Sequence, residues 1–184
     1  MTLTLIVISL LFHGFQSFPV SLGSDLKSSP AQSLQVVFIL VAMQIFMLWL
    51  GLFLGDKFLY LAGDYGNIIL FIGFLLIGLR ISIETFAIRK GERTFNLDDS
   101  KSILLASTAQ SINSLLVGIL LSLFIIDHFI YFGFLAIATL SFSALGTWLK
   151  LSKSSLAFAS FIYLIGGIFL IAISFYFGFF SDKL

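Results

Sequence analysis

The sequence predicts an all-α polytopic membrane protein: one membrane domain over residues 1–184, with six transmembrane helices in two inverted three-helix repeats. Three observations carry that expectation. The chain is 59% hydrophobic and only 10% charged, with 23 Phe among 184 residues, a composition that would aggregate in water. Six windows of about 20 apolar residues each match the length that crosses about 30 Å of hydrocarbon. A single long charged stretch, RKGERTFNLDDSK at 89–101, then divides the six into two sets of three. Each set has an odd number of crossings, so two copies in sequence lie upside down relative to one another. The expected units are 1–89 and 102–184, joined by a cytoplasmic linker at 90–101.

Each span has its own reason. Span 1 (3–23) begins as a plain apolar helix and turns polar at GFQSFPVSLG. Pro19 donates no backbone hydrogen bond and clashes with the carbonyl of Phe15, so it breaks the helix beside Gln16. No cation precedes this span and no A-x-A site follows it, which argues against a cleaved signal peptide. After SDLKSSPA, span 2 (32–55) carries Gly51-x-x-x-Gly55, a spacing that lets membrane helices approach closely. Following DKFLYLAGDY, span 3 (66–88) holds Arg80 and Glu84, full charges at i,i+4 that can pair on one face. At a rise of about 1.5 Å per residue, Arg80 lies about 13 Å from the level of Arg89 and Glu84 about 7 Å. Glu84 therefore reaches the interface by snorkelling more easily than Arg80.

Span 4 (102–126) sets Ser107, Ser111, Ser114 and Gly118 on one stripe. Ser17 and Ser21 form a shorter stripe in span 1, and the two are expected to face each other. Asp127 and His128 mark the turn into span 5 (129–149), which places His128 in a loop. KLSKS then leads into span 6 (155–179). His13, one turn before Gln16, reads as an interhelical hydrogen-bond partner, with metal binding or proton relay as the alternative.

Internal similarity links the halves. Setting SINSLLVGI (111–119) over GFQSFPVSL (14–22) matches Asn113 with Gln16, Ser114 with Ser17 and Val117 with Val20. Leu50-Gly51 falls on Leu145-Gly146, and Gly73 on Gly166. Inverted repeats build substrate sites from discontinuous helices near the midplane, so Gln16, Ser17, Asn113 and Ser114 are candidate pathway residues, with Pro19 as the helix break. Lys27, Arg89, Lys90, Arg93, Lys101, Lys150 and Lys153 flank the loops on one side, and Lys57 and Lys183 the other. By the positive-inside rule both termini lie outside.

Composition also removes function classes. A net charge of +1 provides no basic field for nucleic acid. The absence of Cys excludes disulfides, thiolate ligands and a Cys nucleophile. Neither G-x-S-x-G nor H-E-x-x-H occurs, so nothing points to an enzyme. The expected partners are the lipid bilayer and a small ion or solute.

The six-span pattern with GLRISIETF (78–86), GFQSFPVSLG (14–23), AQSINSLLVGI (109–119) and ATLSFSALG (138–146) resembles the MntP-like manganese-efflux pumps of bacteria, related more distantly to the LysE-superfamily exporters. The resemblance implies a six-helix inverted-repeat exporter of the cytoplasmic (inner) membrane, working by alternating access. It implies no cofactor, since Mn²⁺ would be the transported substrate. By position, the family's membrane carboxylates in spans 1, 2 and 4 fall on Gln16, Gln44 and Asn113, which makes these the candidate metal ligands, while its charged pair falls on Arg80 and Glu84. All three carboxylates are therefore amides here. Mn²⁺ favours hard, charged oxygen donors, and amides cannot offset its charge. Three readings follow: a less charged substrate, weak metal binding, or a membrane assembly or sensor protein that does not transport. The pair Arg80 and Glu84 would organise the helices or couple to protons.

Overall fold

The computed structural model describes residues 2–23, 30–58, 63–92, 97, 99–149 and 151–181. Among these the chain is helical and has no strand. The helices are α1 (Thr2–Phe15), α2 (Ser17–Ser21), α3 (Pro30–Phe58), α4 (Gly66–Arg89), α5 (Ser100–Leu121), α6 (His128–Trp148) and α7 (Lys153–Phe179), with a 3₁₀ turn at Gly63–Tyr65 before α4. Taking α1 and α2 together as span 1, the six expected spans are present, each long and apolar enough to cross a membrane. Lys27, Arg93, Lys150 and Lys183, four of the cations used to orient the chain, lie outside the described residues.

Local chemistry sets the helix ends. Asp99 caps α5 by accepting from the Ser102 N–H at 2.9 Å. That bond holds its carboxyl below the usual range. The cap starts span 4 two residues earlier than hydropathy placed it. The same span ends earlier too: α5 stops at Leu121, and tight turns carry the chain through Ser122–Ile126. Leu123–Ile126 extended the hydropathy window because they are apolar; Phe124 is buried, packing on Phe177 at 5.0 Å between ring centroids. His128 is the first residue of α6 rather than part of a loop, because Asp127 caps that helix through the Phe129 N–H at 3.0 Å. Ser152 and Ser155 form a capping box at the start of α7.

The bundle is apolar outside and polar inside. Phe38, Ile83, Phe86, Ile137 and Phe161 are exposed, whereas Gln16, Gln44, Gln110, Asn113 and a set of Ser and Thr residues are buried. Hydrocarbon as the surrounding solvent accounts for that arrangement. The closest helix pairs join the two halves of the sequence: α1/α2 packs on α6, α3 on α5, and α4 on α7. Glycine permits each approach. A side chain at Gly51 would meet the Leu115 carbonyl, one at Gly146 the Phe18 carbonyl at 2.7 Å, and one at Gly78 the Gly167 carbonyl at 2.8 Å.

The serine stripes do not face each other. Ser17 turns toward the Thr139 carbonyl of α6 (3.3 Å), and Ser21 lies against Gly146 of the same helix. In α5, Ser114 bonds to Gln44 of α3, and a side chain at Gly118 would meet the Leu48 carbonyl at 2.5 Å. Each stripe fits a helix of the opposite half because small residues pack best against backbone, and this separates them.

Candidate polar site between the helices

Span 1 is broken at Gln16. Pro19 removes one helical donor, and the Gln16 N–H turns back to the His13 carbonyl at 3.1 Å, a three-residue turn that ends α1 before α2 begins. The Gln16 carbonyl accepts from the Tyr163 hydroxyl of α7 at 3.2 Å. Irregular backbone at this depth is held by protein groups, and Tyr163 ties this joint to α7.

The side chains at the break meet those of α5 and α3. Asn113 Nδ2 donates to Gln16 Oε1 at 2.9 Å, and both residues are 2% exposed. Gln44, the central residue of α3, accepts from Ser114 and donates to the His13 carbonyl at 3.5 Å. The three expected amides are thus joined through α1/α2, α3 and α5. Ser17 lies just outside this group, donating to the Gly14 carbonyl at 2.7 Å. His13 bonds within its own helix, Nδ1 to the Ser9 carbonyl at 3.0 Å, and Nε2 has no partner. Its side chain is therefore not the interhelical partner the sequence predicted; its carbonyl takes that role.

Beside the amides lies a cavity of about 10 Å³, lined by Gln16, Pro19, Val20, Arg80, Glu84, Ala109, Gln110, Asn113 and Tyr163. That is about the room one water needs. Arg80 Nε pairs with Glu84 Oε1 at 3.1 Å, as the i,i+4 spacing predicts. With 38% of its side chain exposed against 13% for Glu84, Arg80 stands at the cavity's edge. It also lines an apolar groove of about 220 Å³ between α4 and α5, with Gly73, Leu76, Ile77, Leu116, Ile119 and Leu120. Pro19 and both charged residues therefore border the same small space as Gln16 and Asn113, while Gln44, Ser17 and Ser114 support it from behind.

Two polar lining residues escaped the sequence reading. Gln110 sits three residues before Asn113 on α5, and neither of its side-chain polar atoms has a partner. Tyr163 was lost among many Phe, although a hydroxyl deep in an apolar span has to find a bond. Gln16 Nε2 and Asn113 Oδ1 are likewise unpaired. The cavity thus presents free donors and free acceptors together, beside an ion pair of zero net charge. Among the described residues no group of three or more His, Asp or Glu is arranged to hold a metal ion.

An α-helical multi-pass membrane protein enclosing a small polar site is the class these features define. Within it the chain belongs to the MntP family: the family model described as "putative manganese efflux pump" matches residues 27–177, most of the sequence. This is a family of membrane transporters. The match includes Gln44, Arg80, Glu84, Gln110, Asn113 and Tyr163 and begins after the broken span that carries Gln16. No curated protein and no solved structure matched the chain.

Proposed function

We propose that this chain is an alternating-access transporter of the bacterial cytoplasmic membrane that exports a small solute of low net charge. The observation that carries the reading is the Asn113–Gln16 bond. It joins two buried amides from opposite halves of the sequence beside a cavity in which Gln16 Nε2, Asn113 Oδ1 and both side-chain polar atoms of Gln110 are unpaired. Buried polar groups without partners are costly, and a packing role gives no reason to keep several around one space. In this reading Gln16 and Asn113 are the neutral ligands and Gln44 flanks them. Ser17 and Ser114 hold their helices in register, and Pro19 creates the break. Arg80 with Glu84 orders α4 against the site or couples transport to protons.

The inverted repeat, with units 1–89 and 102–184, has support beyond sequence similarity. The alignment that pairs Gln16 with Asn113 also pairs Phe18 with Leu115 and Ser21 with Gly118, and Gly51 corresponds to Gly146. Gly146 packs on Phe18 and Ser21, and Gly51 packs on Leu115 and Gly118. The same contact is therefore made twice with the halves exchanged. Placement of both termini outside is supported by Arg89 at the end of α4, Lys101 in the first turn of α5 and Lys153 opening α7, all at one side under alternate crossing.

Manganese export is the second reading, favoured by family membership. The amides oppose it, because neutral dipoles do not offset the desolvation of a divalent ion. Purified protein in liposomes separates the two. Influx of Mn²⁺, Fe²⁺ and Zn²⁺ at the level of empty vesicles, with protein-dependent movement of neutral solutes, supports the proposal; protein-dependent Mn²⁺ accumulation replaces it with the second reading. Under either reading the double variant Gln16→Asp, Asn113→Asp should bind divalent metal more tightly than the parent, and equal affinity would remove both residues from the pathway.

A further inference from the structure

Gln110 is the one amide of the cavity with neither end engaged. Its Oε1 and Nε2 both lack hydrogen-bond partners although the residue is 6% exposed. A buried glutamine serving only to hold helices together would bond across the interface, as Gln44 does to Ser114 and to the His13 carbonyl. Gln110 instead lines the space shared with Gln16 and Asn113. The three residues together leave two NH₂ groups, those of Gln16 and Gln110, and two carbonyl oxygens, those of Gln110 and Asn113, unmatched. That set satisfies neither a bare cation, which needs acceptors only, nor a simple anion, which needs donors only.

We infer that Gln110 is a specificity-determining residue of this site, and that the site takes a neutral solute carrying both a hydrogen-bond donor and an acceptor, such as a small amide. The inference rests on the transport reading above and sharpens its substrate class. At about 10 Å³ the cavity admits such a group only when the helices around it part. Gln110 supplies one donor and one acceptor from a single side chain, so it reads both ends of an amide-like ligand at once. Aligned with Gln16 and Asn113, it makes a neutral and amphoteric lining.

Liposomes containing the full chain, with urea at non-denaturing concentration as the probe, test this. Urea entry is read by light scattering, Mn²⁺ entry by a trapped indicator, and thermal unfolding is measured on the same preparations. We expect protein-dependent urea entry in the parent and a drop of about tenfold in Gln110→Leu, the worth of one ordinary hydrogen bond. We also expect an unfolding temperature equal to or above that of the parent, because unpaired buried polar atoms have been removed. Unchanged urea entry, or a clear loss of thermal stability in Gln110→Leu, would overturn the role given to Gln110. A parent that moves Mn²⁺ and not urea would overturn the ligand class while leaving transport intact. One that moves neither would overturn transport and the ligand class with it.

Discussion

In the proposed repeat the broken span α1/α2 corresponds to the unbroken helix α5, and the two differ at one decisive position. They meet through Gln16 and Asn113, and each presents a serine to a neighbour, Ser17 to α6 and Ser114 to α3. Where span 1 has Pro19, the aligned residue of α5 is Leu116, and α5 runs through to Leu121 without interruption. Proline leaves the Phe15 carbonyl without its helical donor, and the next carbonyl, that of Gln16, takes a bond from Tyr163, whereas the Asn113 carbonyl lies inside a continuous helix. One wall of the cavity is thus a jointed backbone held by a side chain from α7, and the other is a regular helix. Motion that opens the site is expected at the jointed wall, because discontinuous segments absorb dihedral change that a continuous helix resists.

The largest effects should come from breaking the seams both halves share. Gly51→Leu drives a side chain into the Leu115 carbonyl, and Gly146→Leu does the same at the Phe18 carbonyl. Each should cost about 3 kcal/mol or more, and the two should be similar if the halves are structural copies. Thermal unfolding in detergent measures this, and a severe loss in one variant with none in the other would refute the equivalence. Next in size are Asn113→Leu and Gln16→Leu. Each removes one amide of the pair and strands its partner, at a cost of about 1–3 kcal/mol, and both should abolish solute movement in liposomes. Retained transport in either would show that the amides serve packing alone.

Tyr163→Phe separates the two walls. Losing the hydroxyl removes the bond from α7 to the Gln16 carbonyl and should cost about 1 kcal/mol, with amide exchange rising at α1/α2 and not at α5. Equal exchange in both segments would mean that Tyr163 does not hold the joint.

Much of this architecture was legible because hydrophobic windows report membrane crossings directly, and the amide pair because two polar groups fell on aligned positions of apolar spans. Other features required packing information. The Leu123–Ile126 turn is as apolar as a helix, so hydropathy extended span 4 through it. The direction of the serine stripes depends on which helix pairs with which, and the exchange of partners between halves places Ser17 on α6 and Ser114 on α3. Gln110 did carry a signal, since the repeat alignment extended by one residue past Gly14 sets it on His13, another buried polar residue. It went unread because an amide next to a serine stripe looks like part of the packing.

Pro19→Leu is expected to change stability least and to say the most about the joint. Pro19 is buried, whereas Leu116 at the aligned position of α5 lies on an exposed face; at position 19 the larger side chain replaces an apolar ring with an apolar chain. Restoring a backbone donor gains one hydrogen bond, while losing proline returns conformational freedom to the unfolded chain, each worth about 1 kcal/mol with opposite sign. The net change should therefore stay within about 1 kcal/mol. Transport should nevertheless fall, since a donor restored at position 19 bonds the Phe15 carbonyl, makes span 1 continuous and stiffens the wall that has to move. A variant that unfolds like the parent but no longer transports would place the moving element at Gln16. One that transports at the parent rate would make the proline a packing feature and leave both walls of the cavity mechanically alike.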